Sequence, residues 1–516
     1  FYLYVQNGVQ ASDSAITRAA QHFEKHIYPT DRKYFGTEWR PGVDNDVHIT
    51  CLIGDLRSTG VGGYYSAEDE YPRAVNPYSN QREMFYINSG QGTIPGDSYF
   101  DVTLAHEFQH MIHWNMHPHE NLWLNEGMSM LAEKLNGYAS VDEPDSFALQ
   151  PDTQLDTFNA TASGSVAHYG AAYLFLDYLY ERYGQKIVHE ILVDRKYTDM
   201  ELIDDVLKRL HIHTSARTLF KNWVVANAVN DPTLGKGIYA YKALPRKVAI
   251  QKTVSSLPFS WTSSVSPWAA QYAEMDGIQS AKPFHLQFSG VATVPAVGVK
   301  SNGPFWWTNR GDMSDTRLQR TVDLRHVHHA TLHFQAWYDI EKDYDYAYVE
   351  ASSDAGKTWR TLPGTSTTTS NPNGANYGYG YTGESKSWLN QTVDLSPYAG
   401  HRIQLRFEYI TDEGYNGNGM VFRKLSIPEI GYQDNWTGWH AAGFVPVAVN
   451  SLPTDWTVQV IGYTAHGETV STMPLKGDKG SILIDPVKSG FKKLVVAVFT
   501  TSPKTRETAS YQLSTG

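Results

Sequence analysis

Three residues near position 106 have the types and the spacing that hold a metal ion and activate water. His106, Glu107 and His110 lie in the segment "FDVTLAHEFQHMIHW", which contains helix-forming residues and neither glycine nor proline. On a helix, two histidines four residues apart lie about 40° apart around the axis and one turn apart along it, so both imidazoles can bind one ion. Glu107 can then reach a water on that ion. A catalytic zinc site needs three protein ligands and one open position, so a third ligand must come from elsewhere.

The nearby histidines are poor candidates for the third ligand. His113 is seven residues from His106, about 10.5 Å along the helix axis, and one ion cannot be bound at about 2 Å by both. In the pattern H-E-x-x-H-x-x-G-x-x-H, a glycine turns the chain so that a third histidine comes back to the metal. Here His113 occupies the glycine position and Met116 the last position, with His117 one residue late. Neither arrangement fits this chain.

A glutamate on a following helix is the better candidate. The segment "LWLNEGMSMLAEKLNG" carries an apolar stripe, and Glu126 and Glu133 share a different face, seven residues apart. Pro118 ends or bends the first helix and gives the chain room to turn back. We therefore predict Glu126 as the third ligand and Glu133 as the residue that orients a ligand by hydrogen bond. Glu120, beside Pro118, is a more distant alternative.

The elements that must position these residues divide the chain into two halves. Up to about residue 250, helical periodicity at "SAITRAAQHFEKHIYP" and strand-like runs at "DVHITCLI" and "REMFYINS" precede a series of helices after residue 100. From about residue 255, short alternating runs such as "ATLHFQAWYDI" and "RIQLRFEYI" are typical of β-sandwiches. The sequence predicts an α+β domain at 1–250, a β-sandwich formed by 251–300 and 429–516 as one discontinuous domain, and a β-domain at 301–428.

Composition excludes several classes of protein. The chain has 516 residues, too many for one hydrophobic core, and its net charge of -11 leaves no basic stripe that would bind nucleic acid. No apolar run approaches the roughly 18 residues that span a bilayer, so we expect a protein that does not cross a membrane. The single cysteine, Cys51, lies in the apolar run "VHITCLIG" and is expected to be a buried core residue.

The motif "HEFQH" followed by "WLNEGMSMLAE" resembles the gluzincin zinc peptidases, in particular the hyicolysin-like and immune-inhibitor-A-like secreted bacterial enzymes. The resemblance implies a zincin fold, zinc bound by His106, His110 and Glu126, and Glu107 as general base. The interval from His110 to Glu126 is shorter than in the thermolysin and aminopeptidase branches. The immune inhibitor A enzymes themselves carry a metzincin-like pattern that is absent here.

The resemblance also implies a group that stabilises the oxyanion of the tetrahedral intermediate. The segment "SVAHYGAAYLF" offers His168 and Tyr169 for this role, and the sequence does not decide between them. The aminopeptidase motif G-x-M-E-N is absent before the zinc helix, which favours an endopeptidase. We expect "REMFYINS" to be the edge strand that pairs with an extended substrate.

In the second half, "FWWTNRGDMSDTRLQRTVDL" and "LSPYAGHRIQLRFEYITDEGYNGNG" resemble the MAM-like jelly-roll module of immune-inhibitor-A-like proteins. Such modules often hold calcium, and Asp312, Asp315 and Asp339 are the candidate ligands. The family usually ends a strand with two aspartates where this chain has "VFRKLSIPEIGY".

Together these features predict a secreted bacterial zinc endopeptidase in its mature form, a monomer that acts on proteins or peptides and binds no nucleic acid. The alternative hypothesis is a glycan-binding or cell-surface protein whose zinc domain is inactive. The intact Glu107 argues against that alternative, because loss of this residue is the simplest way to silence such a site.

Overall fold

The computed structural model describes residues 1–57, 61–91, 94–138, 140–158, 162–412 and 414–516. Its first half combines a small sheet with a series of helices. The strands are β1 (Tyr2–Val5), β2 (Thr50–Gly54), β3 (Gly63–Tyr65) and β4 (Met84–Asn88). The helices are α1 (Asp13–His22), α2 (Tyr28–Phe35), α3 (Ser98–Met116), α4 (Leu122–Leu135), α5 (Asp142–Leu149), α6 (Ala162–Tyr183), α7 (Gln185–Val193), α8 (Asp199–Arg209) and α9 (Ala216–Val229).

The second half is built of strands, with one short helix. The strands before residue 400 are β5 (Lys252–Val254), β6 (Ser260–Val265), β7 (Ala269–Met275), β8 (Phe284–Gly290), β9 (Thr293–Val294), β10 (Phe305–Trp307), β11 (Asp315–Asp323), β12 (Thr331–Ile340), β13 (Tyr346–Ser352), β14 (Arg360–Thr361), β15 (Gly380–Tyr381), β16 (Gly383–Glu384) and β17 (Leu389–Asp394). The later elements are β18 (Arg402–Ile410), β19 (Gly419–Ile427), β20 (Tyr432–Gln433), β21 (His440–Ala442), β22 (Val445–Val447), β23 (Leu452–Pro453), β24 (Trp456–Thr464), β25 (Gly467–Thr472), β26 (Leu475–Lys476), β27 (Lys479–Ile484), α10 (Pro486–Ser489), β28 (Lys493–Thr500) and β29 (Ala509–Thr515). The predicted class, α+β followed by all-β, is confirmed.

The amino-terminal sheet has the strand order β1-β2-β4-β3. β2 pairs in parallel with β1 and β4, and β3 pairs antiparallel with β4. The expectation that "REMFYINS" forms the edge strand is therefore wrong, because β4 lies inside the sheet and β3 at its edge. Every residue of β4 is buried, as expected of a strand with an apolar run that is covered on both faces.

Helix α3 packs against β3 and β4 of this sheet and carries the H-E-x-x-H motif. The Asp97 side chain accepts a hydrogen bond from the backbone N–H of Phe100 and caps the helix. The helix ends at Met116, two residues before Pro118, as the sequence predicted. Its apolar side joins a large core that also includes residues of α4, α6 and α9, and the buried Cys51 of β2.

The chain forms two compact units. The first consists of residues 1–292, 454–501 and 508–516. In it, the strands that follow the helical region pair with strands from the end of the chain, in the order β26-β27-β8-β29-β6. Strands β24 and β28 pair with each other and add Ile461, Val495 and Phe499 to the core of the helical region. The helices and the flanking strands of this unit thus share one core.

The second unit consists of residues 293–453 and 502–507 and is a two-sheet sandwich. One sheet has the order β16-β12-β19-β10-β22 and the other the order β14-β13-β18-β11-β21. Side chains alternate along β12, so that Leu332, Phe334, Ala336 and Tyr338 enter the core between the sheets. Across both units, no helix in the described parts of the chain is long and apolar enough to cross a membrane.

Candidate active site

The two histidines of the motif converge at the surface of α3. Helical spacing brings the rings of His106 and His110 to a centroid distance of 4.8 Å, with an interplanar angle of 72°. Both side chains are partly buried, and their Nε2 atoms face the same carboxylate, that of Glu126 on α4. The turn at 117–121 reverses the chain so that α4 packs on α3.

Glu126 completes a cluster of three potential metal ligands. Its Oε2 atom lies 3.2 Å from His106 Nε2 and 3.5 Å from His110 Nε2. Ligand atoms at about 2.05 Å from a tetrahedral zinc ion are separated by about 3.4 Å, so these spacings suit zinc. Burial opposes ionisation of Glu126, but the two imidazoles outweigh it and hold the pKa of the Glu126 carboxyl below its ordinary value. The cluster thus contains an ionised carboxylate and two imidazole nitrogens.

Each histidine has a polar partner at its other ring nitrogen, Nδ1. His106 Nδ1 lies 2.7 Å from Glu133 Oε1, and His110 Nδ1 lies 2.9 Å from Asn125 Oδ1. Such partners fix which nitrogen carries the proton and leave Nε2 free to bind a metal. The sequence predicted Glu133 for this role. It did not single out Asn125, although its position next to Glu126 was a usable signal.

Glu107 is buried beside the cluster, at 6% exposure. Its carboxylate accepts a hydrogen bond from the backbone N–H of Tyr65, on the edge strand β3. Burial, first of all, raises the pKa of the Glu107 carboxyl above its ordinary value, and the charge of Glu126 acts in the same direction. Glu107 thus places a carboxyl group of high proton affinity between the cluster of His106, His110 and Glu126 and the edge strand β3.

Of the two candidates for oxyanion stabilisation, Tyr169 lies near the cluster. The Tyr169 side chain interacts with the carboxylates of Glu126 and Glu107, and burial together with these charges raises the pKa of its hydroxyl well above the ordinary value. It therefore stays protonated and can donate a hydrogen bond. His168 instead directs Nδ1 at the carbonyl oxygen of Gln154, 3.1 Å away.

The remaining candidates from the opening motif lie away from the cluster. His113 is buried, and its Nδ1 lies 3.4 Å from Gln109 Nε2. His117 Nε2 lies 2.9 Å from the carbonyl oxygen of Tyr197. Glu120 accepts hydrogen bonds from two backbone N–H groups, one of them at Asp199, the first residue of α8.

The three aspartates predicted to bind calcium lie in different surroundings. Asp312 is buried and accepts a hydrogen bond from the Asn416 side chain. Asp315 is exposed and pairs with Arg317. Asp339 accepts hydrogen bonds from the backbone and the side chain of Asn418, at 3.2 and 2.9 Å.

A second group of potential metal ligands occurs in the sandwich unit. We call Glu341, Asp345 and Asp412 the acidic cluster, because one carboxylate oxygen from each lies within 4.8 Å of the others. Burial and the neighbouring carboxylates, including Asp312, raise the pKa of Glu341 to about 8 and that of Asp345 to about 9. The sequence did not single out the residues of the acidic cluster.

Comparison with known proteins identifies the sandwich. Residues 289–445 match the family described as "Immune inhibitor A-like, MAM domain". The predicted resemblance of this region to the MAM-like module is confirmed.

Two bacterial proteins similar to this chain are named as metalloproteases. The chain is 34% identical over 152 residues to the pre-pro-metalloprotease PrtV of Vibrio cholerae, an alignment that covers 28% of this chain and 16% of that protein. It is 26% identical over 273 residues to the neutral metalloprotease ShpI of Staphylococcus hyicus, covering 48% of this chain and 60% of that protein. It is 28% identical over 165 residues to immune inhibitor A of Bacillus thuringiensis, covering 31% and 22%. The chain thus spans less than two thirds of the length of each of these relatives.

Proposed function

We propose that this relative of bacterial metalloproteases, with its immune-inhibitor-A-like MAM module, is a zinc-dependent endopeptidase of the gluzincin type with a zincin fold. One observation carries the proposal. His106, His110 and Glu126 direct three ligand atoms at a common centre, within 4.8 Å of one another, beside the buried carboxyl group of Glu107. Two imidazoles and a carboxylate are a ligand set of catalytic zinc sites.

The ligand chemistry and spacing of the three residues fit zinc. A zinc ion bound there would supply a Lewis acid that polarises a peptide carbonyl and makes water acidic near neutral pH. Glu133 and Asn125 would orient the two imidazoles, through the bonds of 2.7 and 2.9 Å at their Nδ1 atoms.

Residues of the chain carry out proton transfer, oxyanion stabilisation and substrate binding. Glu107, whose pKa is raised by burial, takes a proton from the attacking water and passes it to the nitrogen of the leaving amine. Tyr169 donates a hydrogen bond to the oxygen that becomes negative in the tetrahedral intermediate. The edge strand β3, joined to Glu107 through the Tyr65 N–H, is suited to pair with an extended segment of substrate.

The decisive experiment combines metal analysis with hydrolysis of casein. We expect one zinc ion per chain, cleavage that a chelator abolishes and zinc restores, and an inactive Glu107→Gln variant that still binds zinc. A conservative His168→Gln variant serves as a comparison, because the His168 Nδ1 atom lies 3.1 Å from the carbonyl oxygen of Gln154. Zinc-free protein, or casein cleavage unaffected by the chelator and by Glu107→Gln, would contradict the proposal and favour a binding protein with an inactive domain.

We further propose that the protein is secreted by a bacterium, acts on proteins or peptides and is monomeric. For the domains we propose a peptidase domain at 1–250, a MAM-like domain at 301–428, and a sandwich formed by 251–300 and 429–516. Pairing of β8 with β27 and β29 supports a discontinuous sandwich, whereas β20, β21 and β22 pair with strands of the MAM-like sheets.

We also propose that the MAM-like module binds calcium. Oxygen ligands at 2.3–2.6 Å suit this ion, and the carboxylates of the acidic cluster converge while carrying raised pKa values. Of the three aspartates predicted from the sequence, Asp312 is near enough to raise the pKa values of Glu341 and Asp345, whereas Asp315 and Asp339 have other polar partners. Calcium titration followed by calorimetry of the full chain tests this proposal.

A further inference from the structure

A chain of buried polar groups extends from His110 into the interface between α3 and α4. Ser129 Oγ lies 3.2 Å from His110 Nδ1 and donates to Gln109 Oε1 at 2.6 Å. Gln109 Nε2 in turn lies 3.4 Å from His113 Nδ1. Gln109 and Ser129 are fully buried and His113 is 1% exposed. Burial of three polar side chains between two helices is costly unless they form hydrogen bonds with one another, as these three do.

The direction of the hydrogen bonds follows from the chemistry of each group. An amide oxygen only accepts, so the Ser129 hydroxyl proton points to Gln109 Oε1 and a lone pair of Ser129 Oγ faces His110 Nδ1. His110 Nδ1 then faces two acceptors, Ser129 Oγ and Asn125 Oδ1. With its proton on Nδ1, His110 would present the lone pair of Nε2, the atom on the Glu126 side of the ring, to a zinc ion bound at the proposed site.

The direction at Gln109 is linked to the tautomer of His113. If Gln109 turns its oxygen toward Ser129, its Nε2 donates to His113 Nδ1, and the proton of a neutral His113 then lies on Nε2, a buried atom with no hydrogen-bond partner among the described residues. If the Gln109 amide were flipped, Nε2 would face Ser129 Oγ, and Ser129 would direct its own proton at His110 Nδ1. That arrangement would favour a proton on His110 Nε2, the atom that a metal ion needs free.

We infer that Ser129, Gln109 and His113 are positioning residues that hold His110 in its metal-binding tautomer. The inference rests on the proposed zinc site and deepens it. His113, which lies too far along the helix to be a ligand, acts three residues away through hydrogen bonds.

Zinc affinity of the full-length protein, measured by competition with a chelating dye, tests the inference. Ser129→Ala should weaken zinc binding about tenfold, the lower part of the range for residues that hold a metal ligand, because Asn125 remains as an acceptor. His113→Leu should weaken zinc binding less, since the contact of His113 with Gln109 is the longest of these hydrogen bonds. The double variant Asn125→Ala with Ser129→Ala should lose more than the product of the single losses, because only then does His110 Nδ1 lack an acceptor.

Ile112→Val is the matched control, because it removes one buried methyl group from the same helix without touching the polar chain. Nitrogen-15 NMR of the zinc-loaded wild type, labelled at histidine, gives a second readout that requires no variant. We expect His110 to be protonated at Nδ1 and His113 at Nε2.

The outcomes separate the inference from the proposed function. If wild-type protein binds zinc but Ser129→Ala binds it as tightly as Ile112→Val does, the inference is wrong and the zinc site stands. A His113 protonated at Nδ1 would overturn the direction of the chain in the same way. If the wild type binds no zinc, both the proposed function and the inference fail.

Discussion

Gly127, the residue after Glu126, sets how closely α4 approaches α6, the helix that carries Tyr169. A Cβ atom at Gly127 would lie 2.7 Å from Leu176 Cδ1, 3.0 Å from the carbonyl carbon of Ala172 and 3.1 Å from its Cβ. The Leu176 side chain can rotate away, but the backbone of Ala172 moves only if α6 moves. Gly127→Ala should therefore displace Tyr169 relative to Glu126 by a few tenths of an ångström.

The two energetic effects of Gly127→Ala oppose each other. Replacing glycine by alanine within a helix stabilises it by about 1 kcal/mol, whereas overpacking a close helix contact costs about 1–3 kcal/mol. We expect a net loss of about 1 kcal/mol in the free energy of unfolding. Because complete removal of an oxyanion donor lowers kcat by about 10²–10³, its displacement should lower kcat by about tenfold.

Far-UV circular dichroism during urea unfolding measures the stability change, since all the helices α1–α10 lie in the first unit. Gly303→Ala is the control, because no atom lies within 4 Å of the added carbon. Gly170→Ala, whose Cβ would overlap the backbone carbonyl of Glu143, should be more damaging than Gly127→Ala. The reasoning is refuted if Gly127→Ala stabilises the protein and leaves kcat unchanged.

Four further predictions follow from the two sites. Glu107→Gln should lower kcat for a peptide substrate by about 10²–10⁴ with zinc content unchanged, and parallel loss of zinc would contradict a role as base. Tyr169→Phe should lower kcat by about 10²–10³ with little change in KM, so a change confined to KM in steady-state kinetics would argue against oxyanion stabilisation. Glu133→Gln should weaken zinc binding about tenfold in the dye competition, and wild-type affinity would mean that its bond to the histidine does not orient a ligand. When a chelator removes calcium, the MAM-like module should lose stability as pH rises, because the folded state holds the protons of Glu341 up to pH about 8 and of Asp345 up to about 9, while the unfolded chain releases them near pH 4. Calorimetry should show that added calcium offsets this loss of stability. Equal melting temperatures at pH 6 and pH 9 without calcium would contradict the mechanism.

Helical geometry explains how much of the candidate site the sequence could predict. The spacing within α3 predicts the approach of His106 and His110, and the seven-residue interval on α4 predicts that Glu126 and Glu133 share a face. In the structure these two glutamates contact opposite nitrogens of the same His106 ring. The sequence could not decide between His168 and Tyr169, because a rotation of about 100° between neighbours on α6 depends on how that helix packs.

The missed features depend on pairing between distant segments. β4 has the apolar run of a strand, but its place inside the sheet depends on β3, which pairs with it from earlier in the chain. The acidic cluster likewise forms because Tyr346 of β13 pairs with Ile410 of β18, which brings the residues just before 346 and just after 410 to one end of the sheet. Alternation of apolar residues predicts strands but not their partners, so Asp345 and Asp412 could not be matched from sequence.

The electrostatics of the candidate active site give a separate reason for a divalent cation. Three carboxyl groups, those of Glu107, Glu126 and Glu133, are buried or nearly so around His106 and His110. Burial raises the pKa of Glu107 and Glu133, while only Glu126, between the two imidazoles, has a lowered pKa. A divalent cation bound here would favour the ionised form of the buried carboxyl groups of Glu107 and Glu133, since an opposite charge within about 4–6 Å stabilises a carboxylate. Of Glu107 and Glu126, only Glu107 has a raised pKa, as its proposed role of accepting and returning a proton requires.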